Sequence, residues 1–333
     1  MAKSWTRDEL LALMRAYQPA CVVAAAAELD VFTGLSGGPM TAAALASALG
    51  ADVRGVTVLL DALAAMDLLD KHDGTYTTPP TLSDLLTETG SGSTVLAMVR
   101  HQANCLRRWG QLAQVTRAGK PAERTPSIRG EAADQASFIG AMHDVSGPVA
   151  GALVTALGTP RFRRLLDVGG ASGTWTIAFL QAVPDATADL FDLPDVIPLA
   201  RRRIGDAGLT DRVTFGAGDF TVDALPAGAD FAWISAIVHQ NSRQENRDLF
   251  AKVRSALVAG GQIMIRDIVM DESRTRPAAG AMFAVNMLVA TQGGGTYTFA
   301  ELREDLTHAG FADVTLLRHD EWMDSIIRAT KRE

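Results

Sequence analysis

The sequence predicts an α/β chain: a largely parallel sheet closed by an antiparallel strand pair, preceded by a helical, winged-helix-like region. Three observations predict it. From Arg161 onward short apolar strands alternate with helices, the pattern of a parallel sheet covered on both faces. Arg164-Leu-Leu-Asp-Val-Gly-Gly-Ala-Ser-Gly173 leads a buried strand into a glycine turn and a helix, the opening unit of a nucleotide-type site. Residues 40–86 read as helix, turn, helix and hairpin, which sets the amino-terminal part apart.

Size and composition allow this division. A chain of 333 residues can hold two domains, each with its own core. Hydrophobic content of 47% with 21% charged residues is ordinary for a globular protein. A net charge of −7 argues against general binding to nucleic acid or to a membrane surface. Cys21 and Cys105 stand far apart without metal-ligand spacing, so no metal is expected, and reduced, buried cysteines of a cytoplasmic protein are. No basic region, apolar run and cleavage site follow one another at the amino terminus, so no signal peptide is expected. The longest apolar run, Ala20 to Ala27, is too short to span a bilayer.

In chain order, a first helix is expected from Thr6 to Leu29. Thr6 and Glu9 form a capping box, and Pro19 kinks or divides the helix. Its middle, Cys21 to Ala27, is apolar almost all round and needs burial in a core or against a second subunit. Thr41 caps a helix over 42–49 that Gly50 ends. A helix over 53–66 carries Val56, Leu59, Leu60 and Leu63 on one face, and residues 67–78 form a hairpin turning at Asp73-Gly74. A DNA-reading helix here would need basic and amide side chains. This one offers Arg54 alone, beside Asp52 and Asp61, which favours an interaction role over DNA binding. Gly90-Ser-Gly-Ser93 is a flexible spot. Helical segments follow at 95–118 and 134–157, separated by a Pro- and charge-rich surface loop.

Strands are expected near 164–169, 187–192, 212–217, 230–236 and 262–269, with helices near 174–182, 195–207 and 243–257. A helix over 299–309 and strands near 312–319 and 324–331 complete the chain. The last two strands are joined by so few residues that they must pair antiparallel. The domains are therefore 1–94, 95–157 as linking helices, and 158–333.

Ligands of open α/β sheets lie at the carboxyl ends of the strands. At the first strand Gly169, Gly170 and Gly173 allow positive φ and close approach of backbone to ligand. Glycine at the first, third and sixth positions would mark a dinucleotide turn, but the third position from Gly169 is Ala171 and from Gly170 is Ser172. An acidic residue, Asp167, before the glycines suits a cofactor with an amino-acid ammonium and no pyrophosphate, such as S-adenosylmethionine. Asp192 closes the second strand, 23 residues after Gly169, where a carboxylate can accept both ribose hydroxyls. Asp195 is the better N-cap for the helix that follows. Asp219 can accept an adenine amino group while Phe220 packs on the ring. His239 closes the fourth strand. Imidazole, ordinarily of pKa roughly 6.5, can take a proton from a phenol of pKa about 10 as the oxygen attacks.

These pieces together resemble the small-molecule O-methyltransferases of the caffeic-acid and plant-phenolic type and their bacterial natural-product relatives. The likeness rests on the winged-helix region, the Asp-Val-Gly-Gly turn, Phe191-Asp-Leu-Pro-Asp-Val196, Gly218-Asp-Phe220, His239 and Gly260-Gly261. It implies a seven-stranded Rossmann-like methyltransferase sheet, a dimerisation domain that makes an intertwined homodimer, and S-adenosylmethionine as the cofactor. The segment Phe138-Ile-Gly-Ala-Met-His-Asp-Val-Ser146 resembles the family's stretch before the glycine turn. By resemblance Ser146, Asp167, Gly169, Gly170, Gly173, Asp192, Leu193, Asp219, Phe220 and Ser235 line the cofactor. Met142, His143, Met287 and Thr291 line the acceptor pocket. Trp109 and Phe283 join that pocket as large apolar side chains expected to face the cleft, a core role being the alternative. His239 is the base and Asp267 its partner.

The sequence departs from the family in three places. Gln240 and Asn241 stand where Asp-Trp usually follows the histidine. Asp267, 28 residues on, replaces a glutamate, and Thr296 stands in place of a second. Those carboxylates support the imidazolium, so weaker support is expected here. The reading is transfer of a methyl group to a hydroxyl of a small, fairly apolar, aromatic molecule. The alternatives are a C- or N-methyltransferase or a non-methylating S-adenosylmethionine-binding relative, in which His239 only binds substrate, and, more remotely, a ligand-sensing winged-helix regulator.

Overall fold

The computed structural model describes residues 3–88 and 94–332; the flexible spot expected at 90–93 lies outside the described residues. The backbone divides into two compact units. One comprises the chain through Arg107 with Arg124–Asp144, the other Arg108–Glu123 with everything from Val145 on.

The chain begins with α1 (Arg7–Arg15) and α2 (Tyr17–Glu28). The Thr6–Glu9 capping box is present. The break falls at Ala16 rather than at Pro19, because Pro19 lies in the first turn of α2, where its missing N–H has no helical partner to lose. Of the apolar middle, Ala24, Ala26 and Ala27 are buried, while Cys21 is exposed along with Leu10, Leu11, Leu13, Met14 and Tyr17. By length and composition alone Arg7–Glu28 is long and apolar enough to cross a membrane, with 17% of its most apolar window buried. A single such stretch near the amino terminus is weak evidence of a span, and this one is divided at Ala16. Next come α3 (Val31–Gly34), β1 (Met40–Thr41), α4 (Ala42–Leu49) and α5 (Val53–Ala65). Thr41 caps α4 through the Ala44 N–H, and Gly50 ends it at positive φ. β2 (Asp70–His72) and β3 (Thr75–Thr77) form the hairpin at Asp73-Gly74, and β1 pairs with β3. With α6 (Pro80–Leu86), these elements close a core around Phe32, Leu45, Val56, Leu60 and Leu63. Three helices follow: α7 (Leu96–Trp109), α8 (Leu112–Ala118) and α9 (Glu131–Ala156).

The second unit is built on β4 (Arg164–Val168), α10 (Thr174–Ala182), β5 (Thr187–Asp192), α11 (Ile197–Asp206), β6 (Val213–Ala217), β7 (Ala229–Ser235), α12 (Arg243–Ala256) and β8 (Leu257–Asp267). After β9 (Val269–Met270) come α13 (Ala278–Ala290), β10 (Tyr297–Thr298), α14 (Phe299–His308), β11 (Phe311–Arg318) and β12 (Ser325–Lys331). The main sheet has the order β11-β12-β8-β7-β4-β5-β6. β6, β5, β4, β7 and β8 run parallel, and β12 and β11 close the edge antiparallel, the predicted arrangement. Alternate residues along each strand serve different cores. Leu166, Ala232 and Ile263 pack with α12 and α14 on one face, and Leu165, Phe231 and Met264 with α10 and α11 on the other. Val196, not Asp195, is the N-cap of α11, and it makes no side-chain cap bond.

Candidate active site

The carboxyl end of β4 is shaped by a lack of room. At Gly170 a Cβ would lie 2.6 Å from Leu190 Cγ, and at Gly169, with φ of 69°, 2.7 Å from Ile237 Cδ1. Gly173, at φ 78°, forms the N-cap of α10 without a side-chain bond, so the amino end of that helix stays open. Between them Ala171 is held at φ 47°, a region a residue with a Cβ enters only under constraint. The constraint is visible: the Ala171 N–H donates to Asp192 Oδ2 at 2.7 Å, and the Leu193 N–H to Asp192 Oδ1 at 2.7 Å. Asp192 thus ties the end of β5 to the glycine turn.

Two carboxylates meet here with little to neutralise them. Asp167 is almost fully buried, and burial pushes its carboxyl up to about 7, aided by the nearby charge of Asp192. The Thr176 hydroxyl, donating to Asp167 Oδ2 at 2.6 Å, offsets only part of this. Burial likewise raises Asp192, against the two N–H groups that favour its charge. Such a site stabilises a cation brought to Asp167 and hydroxyl donors brought to Asp192. With the cradle that only glycine fits, these residues match the ammonium and ribose of S-adenosylmethionine.

At the next strand end the Gly218 N–H donates to the Asp192 carbonyl at 3.0 Å. Asp219 turns its carboxylate onto its own loop, accepting from the Thr221 N–H at 2.8 Å and hydroxyl at 2.7 Å, bonds that hold it below its ordinary value. Phe220 lies beside the glycine turn, 3.9 Å from where a Gly169 Cβ would stand. Lys252 fixes the loop by donating to the carbonyls of Phe220 and Thr221. Ser235, at the end of β7, accepts from Arg266 Nη1 at 3.2 Å. Arg266 is itself buried, paired with Asp324 at 2.6 Å and set over the Trp175 ring.

His239 sits in a 3-10 turn, Val238–Gln240, just beyond β7. Its Nδ1 lies 2.9 and 3.0 Å from the two oxygens of Asp267. Asp267 is buried at the end of β8 and also accepts from the Ile268 N–H at 2.8 Å. A carboxylate against Nδ1 places the imidazole proton there, and Nε2 is left as the acceptor nitrogen. The shorter aspartate therefore still reaches the ring with both oxygens. Thr296, at the position of the missing second glutamate, is buried and donates to the Gly280 carbonyl at 3.3 Å.

The wall beside the imidazole is α13. The Phe283 ring meets His239 edge-on, with centroids 4.8 Å apart. Met287 is buried one turn on. The Thr291 hydroxyl is used within the backbone, donating to the Met287 carbonyl at 2.8 Å and accepting from the Gly294 N–H at 2.9 Å. Trp109 donates its indole N–H to Asn286 Oδ1 at 3.0 Å. Asn286 is the lone amide in the apolar run 278–290, a signal the sequence carries but that the sequence reading passed over; the Asp267-flanking Arg266 was also missed. Ser146 is half-buried on α9 in the second unit, whereas Met142 and His143, also half-buried on α9, belong to the first.

Comparison with known proteins gives a consistent set of likenesses. Residues 118–312 match the family model of the O-methyltransferase domain, and residues 11–89 that of the O-methyltransferase dimerisation domain. The chain is 31% identical over 313 residues to the tetracenomycin polyketide synthesis 8-O-methyl transferase of Streptomyces glaucescens, covering 92% of this chain and 91% of that one. It is 31% identical to the 3-hydroxy-5-methyl-1-naphthoate 3-O-methyltransferase of Streptomyces sahachiroi, covering 88% and 86%. Among solved structures, human N-acetylserotonin methyltransferase in complex with S-adenosylmethionine superposes with a TM-score of 0.80 at 25% identity, covering all of both chains.

Proposed function

The chain belongs to the O-methyltransferase family, dimerisation domain included, and from that premise we propose that His239 takes the proton from a phenolic hydroxyl of a small, fairly apolar aromatic acceptor. S-adenosylmethionine supplies the methyl group from its sulfonium. Asp167 would hold the cofactor's ammonium and Asp192 its ribose hydroxyls. The glycine turn gives the backbone room, and Asp219, Phe220, Leu193, Ser235 and Ser146 complete that side. His239 Nε2 accepts the phenol proton while Asp267, on Nδ1, stabilises the imidazolium that results. Phe283, Met287 and Trp109 exclude water and hold the aromatic ring. A positioned base of this kind contributes roughly 10²–10⁴-fold, alignment and desolvation the rest.

The observation that carries this reading is the buried His239–Asp267 pair at the end of the central β7, with Nε2 free to accept. Two streptomycete relatives support an aromatic polyketide-like acceptor, since their names place the methyl group on such hydroxyls. Residues 1–94 make the homodimer on this reading, 95–157 link, and 158–333 bind the cofactor. The exposed apolar side of α1 supports a second copy as partner, and a lone Arg54 on α5 speaks against nucleic acid. Cys21 and Cys105, neither of them in a disulfide, are consistent with a reducing cytoplasm.

The test is transfer from methyl-labelled S-adenosylmethionine to hydroxynaphthoates, hydroxyanthraquinones and N-acetylserotonin, with products located by mass spectrometry. Label on a phenolic oxygen, lost in His239→Ala, is the expected result. Label on carbon or nitrogen, or an undiminished rate in that variant, overturns the proposal.

A further inference from the structure

Asn246 is fully buried in the first turns of α12, a helix whose Ser242–Glu245 capping box fixes its start. An asparagine there is costly twice over: it is a poor helix former, and burying an amide is unfavourable unless each polar atom is paired. Both atoms are paired. Nδ2 donates to the Val238 carbonyl at 2.9 Å, and Oδ1 accepts from Asn241 Nδ2 at 3.1 Å. A carbonyl can only accept, so the first bond fixes the orientation of the Asn246 amide, and that in turn fixes Asn241. Val238 and Asn241 flank the segment that carries His239. Two more bonds hold it: the Gly295 N–H donates to the His239 carbonyl at 2.9 Å, and the Tyr297 hydroxyl to the Asn241 carbonyl. No side chain can be added at Gly294, where a Cβ would lie 2.5 Å from the His239 carbonyl.

Asn241 is one of the two residues that depart from the family's Asp-Trp, and its amide engages α12 through Asn246. We propose that Asn246 is a positioning residue for His239: by clamping the Val238 carbonyl and the Asn241 amide it sets the 3-10 turn, and so the direction of the imidazole. This rests on His239 acting as the base. A misplacement of about 1 Å at such a group costs on the order of 10²-fold in rate, so the bond matters to catalysis beyond its share in stability.

The experiment is a double-mutant cycle of Asn246→Ala and His239→Ala in the intact protein. Acceptor turnover is followed with 3-hydroxy-5-methyl-1-naphthoate as the probe. Independently of any acceptor, the His239 Cε1–H resonance is followed by ¹³C-edited NMR in the presence of S-adenosylhomocysteine, assigned by its loss in His239→Ala. Asn246→Ala is expected to lower kcat by about 10- to 100-fold, leave the KM for S-adenosylmethionine nearly unchanged, and shift or split the His239 signal. In the His239→Ala background the same change should cost nothing further. If Asn246→Ala does not fold, Asn246→Asp keeps the volume and the bond to Asn241 but sets an acceptor against the Val238 carbonyl, and the same kcat loss and signal change are expected. A folded variant with wild-type kcat and an unmoved His239 signal overturns the proposal. So does an equal loss in both backgrounds, the mark of a purely structural role. A wild-type rate in His239→Ala alone overturns instead the base assignment beneath it.

Discussion

The glycine turn after β4 and the α13 wall stand at the same end of one sheet and are built differently. At the turn, backbone does the work: Gly169 and Gly170 fill space closed to any side chain, Ala171 is held at positive φ, and Asp192 bonds two N–H groups. Its carboxylates are buried short of positive charge. At the wall, side chains do the work: Phe283 edges onto His239, Met287 is buried, and one amide, Asn286, is tied to Trp109. His239 already has its carboxylate partner in Asp267. The turn thus suits the cationic, hydroxyl-bearing cofactor of the proposed reading, and the wall offers an apolar surface. A fixed cofactor and a variable acceptor call for that division of labour.

The difference can be broken from either side. The largest effect belongs to His239→Ala, expected to cut kcat by roughly 10²–10⁴-fold and to leave cofactor affinity alone; steady-state kinetics with a turned-over phenol measures it. Asp267→Asn should fall in the same direction, because Nδ1 then loses its charged acceptor.

Next is the linkage through Asp167. Burial pushes its folded pKa to about 7, above the ordinary 3.8 of the unfolded chain, so between these pH values the folded state keeps a proton that the unfolded chain releases. The cofactor-free protein must therefore lose stability as pH rises through that window and level off above it. Asp167→Asn should stabilise the cofactor-free protein at pH 8 by on the order of 2–4 kcal/mol, read as a higher Tm, and have little effect at pH 4. A rise at both pH values would show that charge burial is not the cause. An ammonium placed beside Asp167 would also expel its proton near pH 7, so binding heats should differ between buffers of different ionisation enthalpy.

Asp192→Ala should weaken S-adenosylhomocysteine by roughly 10- to 100-fold, the loss of charge-assisted bonds to hydroxyls, with Kd read by calorimetry. Smallest is Gly170→Ala, where forcing a methyl against Leu190 should cost about 1–3 kcal/mol in chemical denaturation. A neutral result there would mean that the turn is softer than its spacing implies.

The same contrast governs what was legible in the sequence. The turn and its sheet were readable because glycine, short apolar strands and capping residues act locally. The helix over 174–182, the Thr41 and Gly50 caps and the hairpin at Asp73-Gly74 stand where expected. α13 was not readable as an element. Its residues are apolar nearly throughout, so no period of 3.6 separates a buried face from an exposed one. Pro19 misled in the opposite way, because a first-turn position removes the usual penalty. The reach of Asp267 to both sides of Nδ1 depends on how β8 and the 3-10 turn approach each other, which residue counts cannot give. Asn246 was hidden for the same reason, its two partners lying before it across a cap.

The separation of turn from wall is tested most directly by calorimetric titration of S-adenosylhomocysteine into wild type, His239→Ala and Asp192→Ala. Wild type and His239→Ala should bind with Kd values within about twofold of each other, and Asp192→Ala at least about tenfold more weakly. Loss of binding in His239→Ala, or wild-type affinity in Asp192→Ala, would contradict the account.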